Sequence, residues 1–174
     1  LWADVDGPGI QALVCDSTNV FSLHPGRSET TVGPEIEKLV AAQDGMVVAT
    51  TFASNIARVR QLAEAGIRNG RSVCLLGRAM RKMVTTAVET GVLTDFPALV
   101  SPEEAADIPR QNLMLIVTGS QGERRAASAQ LARGKYLGLQ MKPGDLFLFS
   151  SKTIPGNERG VIEIINALSE KGVD

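Results

Sequence analysis

The chain has 174 residues, 44% of them hydrophobic, and a formal net charge of −1. This length suits one domain with an ample core, and the near-neutral charge excludes a global basic field for nucleic acid or membrane surfaces. Aromatic residues make up only 4% of the chain, which argues against a platform that stacks single-stranded bases. No stretch reaches the ~18 apolar residues that a membrane helix needs, so we expect no membrane partner.

The two cysteines, Cys15 and Cys74, lie in apolar, strand-like runs. We interpret them as reduced core residues of a cytoplasmic protein rather than as a disulfide. No charged-then-apolar signal segment opens the chain, which agrees with that location. Because the chain opens on Leu1-Trp2 without a methionine, we expect it to be a piece of a longer protein.

Apolar strands alternate with helical patterns along the chain. Strands are predicted at 11–15, 46–51, 72–76, 113–117 and 146–150. Helices are predicted at 34–42, from a Ser54 cap to Asn69-Gly70, at 79–90, at a short segment opened by Ser101-Pro102, at 123–133 and at 160–171. This alternation implies right-handed crossovers between parallel strands, and therefore a Rossmann-like, doubly wound, mainly parallel α/β sheet.

Polar residues follow each predicted strand at the point where its apolar run stops. They are Asp16-Ser17-Thr18-Asn19, Ser54-Asn55, Gly77-Arg78, the run from Thr118 to Glu123, and Pro155-Gly156-Asn157-Glu158. In open α/β sheets ligands bind at the carboxyl ends of the strands, where backbone N–H groups and helix N-termini are left unpaired. The sequence therefore predicts a binding site at this one edge of the sheet, although each signal alone is unspecific.

Several common sites are excluded. There is no G-x-x-x-x-G-K-[ST] phosphate loop, and Gly7-Pro8-Gly9 precedes its strand instead of following it. His24 is the only histidine, so this chain offers neither a zinc site nor a Ser-His-Asp triad. We therefore expect no metal ligands in this chain.

The charged residues at the predicted edge have two interpretations each. Asp16 ends an apolar strand, where a carboxylate either caps the next loop or takes part in chemistry. Glu123 would be favoured by the dipole of a following helix, so capping is the simpler interpretation. Arg78 could bind a phosphate or simply be solvated, and Asn157 could be part of a turn that caps the last helix.

Taken together, these segments closely resemble ribonuclease J, a family of metallo-β-lactamase ribonucleases that carry a β-CASP domain. The resemblance covers residues 11–174 in order. The segments that carry it are V-C-D-S-T-N, P-G-R-S-E, A-T-T-F-A-S-N-I-A-R-V, L-G-R-A-M, T-G-S-Q-G-E, K-P-G-D and I-P-G-N-E.

The resemblance implies that residues 31–174 form a β-CASP domain and that residues 1–30 are the edge of the metallo-β-lactamase domain and a linker. Asp16 matches the acidic residue of the first β-CASP motif and is the candidate catalytic residue. The family's two zinc ions activate a water that attacks RNA. Their ligands lie in H-x-H-x-D-H and S-G-H-A motifs that do not occur here, so this chain alone should be inactive.

The resemblance also implies a role and partners for the predicted edge. The β-CASP domain forms the wall of the RNA channel opposite the metal site, in enzymes that act as endonucleases and 5′–3′ exonucleases. The expected partners are RNA, the catalytic domain of the same protein, and further copies in a homo-oligomer. The residues expected to contact RNA phosphates are Ser54, Asn55, Arg78, Ser120, Gln121, Glu123 and Asn157.

Three positions depart from the family pattern: Ala57 where histidine is common, Arg124 where proline is frequent, and Ala79 where serine is found. These departures leave the family assignment intact but weaken claims about Ala57 and Ala79. Two other functions stay open at this stage. The chain is either an RNA-binding module without activity, or a small-molecule α/β enzyme that uses Asp16 and Glu123 as acid and base.

Overall fold

The computed structural model describes residues 12, 14, 20–23 and 28–174. Cys15, Asp16, His24 and most of the predicted strand 11–15 lie outside the described residues. The helices are α1 (Val32–Ala41), α2 (Ile56–Arg68), α3 (Arg78–Glu89), α4 (Pro102–Ala105), α5 (Ala127–Arg133) and α6 (Glu158–Ser169). The strands are β1 (Val47–Thr50), β2 (Ser72–Leu76), β3 (Leu113–Val117), β4 (Lys135–Tyr136), β5 (Leu139–Gln140) and β6 (Leu146–Phe149). Within the described part of the chain, no helix is long and apolar enough to cross a membrane.

Four strands form one parallel sheet in the order β2-β3-β1-β6. The two central strands are buried along their whole length, as continuous aliphatic runs in parallel sheets require. Helices cover both faces of the sheet. The predicted α/β, Rossmann-like, doubly wound fold is therefore confirmed.

Alternate residues of each strand enter two separate apolar layers. On one face, α1, α2 and α3 pack on Val47, Ala49, Val73 and Ile116. On the other face, α5 and α6 pack on side chains that include Val48, Leu115 and Val117, and Ala105 of α4 joins the same layer. This period of two along the strands is what allows one sheet to hold helices on both sides.

The predicted helix 123–133 is wrong at its start, because α5 begins only at Ala127. Residues 123–126 form a turn in which the Ala126 amide donates to the Glu123 carbonyl at 2.9 Å, and the extended backbone of Ala126 (φ −74°, ψ 162°) separates this turn from α5. The sequence also did not reveal the small antiparallel hairpin β4–β5. Its two-residue turn places both Leu137 (φ +52°) and Gly138 (φ +81°) in the left-handed region.

Two buried charged side chains hold the amino ends of the strands. The guanidinium of Arg71 donates to the backbone carbonyls of Gly45 (2.7 Å) and Gln43, and its burial lowers the pKa of Arg71. The carboxylate of Asp145 accepts from the backbone amides of Met46 (2.9 Å) and Lys142 (2.7 Å). Asp145 also accepts two bonds from the guanidinium of Arg110.

Asp145 is 1% exposed, so its removal should destabilise the fold strongly. We expect Asp145→Ala to lower the free energy of unfolding by about 3 kcal/mol, because it leaves buried donors without an acceptor. Urea unfolding followed by circular dichroism measures this loss. The matched control is Asp107→Ala, which removes an exposed carboxylate and should change stability by less than about 0.5 kcal/mol. Equal losses in the two variants would contradict the assignment.

Candidate functional site

All four strands of the sheet end at the same level. Thr50 is in register with Val117 and Phe149, and Leu76 is in register with Val117. The loop after β1 leads to α2 on one face, whereas the loop after β3 leads to α5 on the other face. Neighbouring strands whose loops leave in opposite directions create a crevice between them, and this is where open α/β sheets bind ligands. We call the loops that follow these four strands the carboxyl edge.

Asn55, not Ser54, caps the helix that follows β1. The Asn55 side chain accepts from the backbone amide of Arg58 at 3.1 Å, which is the usual N-cap bond. The predicted Ser54 cap is therefore wrong, and the exposed side chain of Ser54 remains at the surface of the carboxyl edge.

The buried guanidinium of Arg58 joins three segments at the carboxyl edge. It pairs with both carboxylate oxygens of Glu29, at 2.7 and 2.8 Å, and its side chain is 11% exposed. It also donates to the carbonyl of Ser150 at 3.1 Å and to the hydroxyl of Ser150 at 2.8 Å. Two-pronged pairing of this kind fixes geometry as well as charge. Arg58 therefore holds the short turn at Glu29–Thr31, which precedes α1, against the end of β6.

Glycines fix the shape of the loop after β3. A Cβ on Gly119 would come within 2.1 Å of the Ser128 hydroxyl, and that hydroxyl donates to the Gly119 carbonyl at 2.8 Å. A Cβ on Gly122 would come within 2.3 Å of the backbone of Gly160 in α6. A Cβ on Gly77, which follows β2, would come within 2.4 Å of the Thr118 hydroxyl. The loops therefore touch one another through backbone that has no room for side chains.

The side-chain amide of Gln121 joins the loop after β3 to the loop after β6. Its oxygen accepts from the backbone amide of Ile154 at 2.8 Å and from the Asn157 side chain at 3.2 Å. Its nitrogen donates to the Lys152 carbonyl at 3.1 Å and to the Ser120 hydroxyl at 3.4 Å. Gln121 is 8% exposed and Ser120 is 3% exposed, so these predicted RNA-contacting residues lie inside the carboxyl edge.

Two carboxylates hold the same loops. Glu123 accepts from the backbone amide of Gln121 at 3.0 Å, and Glu158 accepts from the backbone amide of Gly156 at 2.8 Å. Both carboxylates are on exposed residues. The bond to Gln121 gives Glu123 a loop-holding role, and it adds no support to the acid–base enzyme hypothesis.

Exposed basic side chains line the outside of the carboxyl edge. Arg78 is the first residue of α3, and Arg81 and Lys82 follow within its first turns. Arg124 and Arg125 lie in the loop after β3. The start of α3 has no side-chain cap and no acidic residue in its first turn, so its dipole adds to this positive charge. The predicted residues Ser54 and Arg78 are therefore on the accessible surface.

The described residues offer no metal site. Among residues 28–174, no three His, Cys, Asp or Glu side chains form a group that could hold an ion. Cys74 is buried in the sheet, and burial raises the pKa of its thiol to about 11. A thiol with that pKa stays protonated near neutral pH, so Cys74 is a packing residue and not a nucleophile.

The family model for the ribonuclease J β-CASP domain matches residues 44–168. The chain belongs to the ribonuclease J family. Ribonuclease J of Sinorhizobium meliloti is 42% identical over 165 residues, covering 95% of this chain and 29% of that protein. Ribonuclease J 1 of Streptococcus pyogenes is 36% identical over 167 residues, covering 95% and 30%. Ribonuclease J of Mycolicibacterium smegmatis is 39% identical over 167 residues, covering 94% and 30%. The chain thus spans less than a third of the length of these relatives.

Sequence reasoning missed three residues that shape this β-CASP domain. Arg58, Glu29 and Ser128 were not singled out, although each makes a bond at the carboxyl edge. Glu29 directly follows the P-G-R-S run and Arg58 lies within S-N-I-A-R, both inside the segments that carry the resemblance. Their pairing joins positions 29 residues apart, and a contact between such distant positions cannot be predicted from the spacing of residues within one helix or strand.

Replacing Gln121 should loosen the loop after β6. In Gln121→Ala the Ile154 amide loses its acceptor and the Lys152 carbonyl loses its donor, which we expect to cost about 1–3 kcal/mol. Hydrogen exchange of the Ile154 amide should accelerate in proportion. Gln111→Ala removes an exposed amide elsewhere and serves as the control. The assignment is wrong if Ile154 exchanges at the same rate in both variants.

Proposed function

We propose that this chain is the β-CASP part of a longer, zinc-dependent ribonuclease J-like enzyme, and that its carboxyl edge forms the wall of the RNA channel. In this proposal residues 31–174 are the β-CASP domain. Residues 1–30 are the edge of the catalytic domain and a linker. The whole enzyme processes and degrades RNA in the cytoplasm, as an endonuclease and as a 5′–3′ exonuclease.

Family membership is the observation that carries this proposal. The three relatives described above, all named ribonuclease J, match 94–95% of this chain at 36–42% identity, and the chain covers only 29–30% of their length. We therefore propose that the activity of the whole enzyme also needs segments beyond this chain. The proposed partners are therefore RNA, the catalytic domain of the same protein and further copies in a homo-oligomer.

The carboxyl edge has the chemistry of a surface that contacts phosphates without reading sequence. Its loop backbone is held by Gln121, Glu123 and the glycine contacts described above, which keeps the surface in one shape. Its exposed side chains include the guanidinium groups of Arg78, Arg124 and Arg125, beside the exposed carboxylates of Glu123 and Glu158. Arginine suits such contacts because its planar guanidinium bonds phosphate oxygens in pairs. Ser54 is the neutral hydroxyl available beside them.

Zinc does not fit the described residues, since none of them form a metal-binding group. We therefore propose that the zinc ligands of the whole enzyme lie outside this chain, and we expect the chain alone to leave RNA uncleaved. Asp16, which matches the first β-CASP motif, keeps its proposed catalytic role at the seam between the two domains. Asn55, Ser120, Gln121 and Asn157 support the surface from within.

Removing the exposed arginines should weaken RNA binding and its salt dependence. We expect the triple variant Arg78→Ala, Arg124→Ala, Arg125→Ala to bind a 5′-monophosphorylated single-stranded RNA about 10- to 100-fold more weakly at low salt. The slope of log affinity against log salt should fall by about 2, since each lost single-strand phosphate contact removes ~0.7. Fluorescence anisotropy at several salt concentrations measures both quantities.

The control variant removes the same amount of positive charge from elsewhere. Lys38, Arg68 and Lys171 lie on the second half of α1, at the end of α2 and after α6, away from the carboxyl edge. Their joint replacement by alanine should leave most of the affinity intact. Equal weakening by the two triple variants would reject the carboxyl edge as the RNA surface. Absence of RNA binding by the unaltered chain would reject it as well.

A further inference from the structure

One side of strand β6 has no partner strand among the described residues. The Leu146 amide donates to Met46 at 2.9 Å and the Ser150 amide donates to Thr50 at 2.8 Å, both towards β1. Because N–H directions alternate along a strand, the amides of Phe147 and Phe149 point to the other side. In the part of the chain that the structure describes, β6 is the last strand on this side of the sheet.

Asp174 makes the hydrogen bonds of a parallel strand on that side. Its amide donates to the Asp145 carbonyl at 2.9 Å, and its main-chain oxygen accepts from the Phe147 amide at 2.7 Å. Asp174 thus bonds the residue before Leu146 and the residue after it. In a parallel ladder each residue bonds the two neighbours of its partner in this way, so Asp174 is the partner of Leu146. The next amide that points outward from β6 is that of Phe149, and none of the described residues accepts a hydrogen bond from it.

Apolar grooves flank β6 on both faces of the sheet. On the α1 face, a groove of about 820 Å³ is lined by Ile36, Leu39 and Leu148 with polar groups at its end. On the α6 face, a smaller groove of about 260 Å³ is lined by Phe147, Phe149, Ile165, Leu168 and Val173. A strand beside β6 would direct alternate side chains into these two grooves.

A buried hydroxyl also lacks a partner at this place. The Ser151 side-chain oxygen lines the larger groove and has no hydrogen-bond partner among the described residues. Buried polar groups are nearly always hydrogen-bonded in folded proteins. A backbone passing the carboxyl end of β6 would bring peptide groups within reach of Ser151.

We propose that the polypeptide following Asp174 in the longer enzyme lies along β6 as a further parallel strand of this sheet. The inference rests on the proposed function, because it requires that the natural protein continue beyond Asp174. The connection from β6 through α6 to this strand repeats the one from β3 through α5 to β6. Each has its helix on the same face and moves the chain in the same direction across the sheet, as right-handed crossovers require.

The register follows from the bonds of Asp174. In a parallel ladder the second residue after Asp174 donates to the Phe147 carbonyl and accepts from the Phe149 amide. Val173 packs with Phe147 in the α6-side layer, so the first and third residues after Asp174 enter that groove. The second residue enters the groove beside Ile36 and Leu39. We therefore expect apolar side chains at all three positions and no proline at the second.

Amide hydrogen exchange measured by NMR tests this register. The 174-residue chain is compared with a longer chain that carries the next residues encoded by its gene. The Phe149 amide should exchange about 100-fold more slowly in the longer chain, because it gains an acceptor. The Ser150 amide, which is bonded to β1 in both chains, should not change and is the internal control. Proline at the second residue after Asp174 should abolish the gain, whereas proline at the third should keep it.

Each other outcome overturns the inference. Unchanged exchange of Phe149 means that the following polypeptide does not pair with β6. Protection of Phe149 already in the 174-residue chain means that another segment or a second copy covers the edge, and native mass spectrometry separates those two. RNA binding by the longer chain is measured in parallel. Binding without Phe149 protection rejects only the added strand, and protection without binding rejects only the proposed function.

Discussion

The level register of four parallel strands is the constraint on which the rest of this β-CASP domain depends. Thr50, Leu76, Val117 and Phe149 end the strands side by side, so the chain must turn at the same height four times. Parallel strands force each turn to lead into a crossover and not into a hairpin. The loops are thereby gathered at one edge, and the exposed side chains of Ser54, Arg78 and Arg124 are gathered with them.

The carboxyl edge divides its polar groups between two tasks. Some side chains form their hydrogen bonds within the protein and so keep the loops in place. These are the side chains of Gln121, Asn55 and Arg58. The basic side chains that remain, such as Arg78 and Arg124, are exposed. A surface with a fixed backbone and outward arginines suits a polyanion that is held by its phosphates and not by its bases. This division is why we propose a channel wall and not a catalytic pocket for these residues.

The sheet could be predicted from the sequence because its signals are local. The aliphatic run of β3 and the Ser101-Pro102 capping box both appear in the structure where they were expected. Both failures concern the residue at which a helix begins. Helix α5 begins only at Ala127 because the backbone of Ala126 is extended (φ −74°, ψ 162°), although the residue types at 123–126 are compatible with a helix. Asn55 replaced Ser54 as a cap because both residue types suit that position and only the backbone geometry selects one.

The measurement that decides the proposed function is cleavage of a 5′-monophosphorylated single-stranded RNA in the presence of zinc. The substrate is given to the 174-residue chain and, separately, to the complete product of the gene that encodes it. We expect the complete product to cleave the RNA, and the 174-residue chain to bind it and leave it intact. Metal-dependent turnover by the 174-residue chain alone, or a complete product that binds RNA but never cleaves it, would contradict the proposed function.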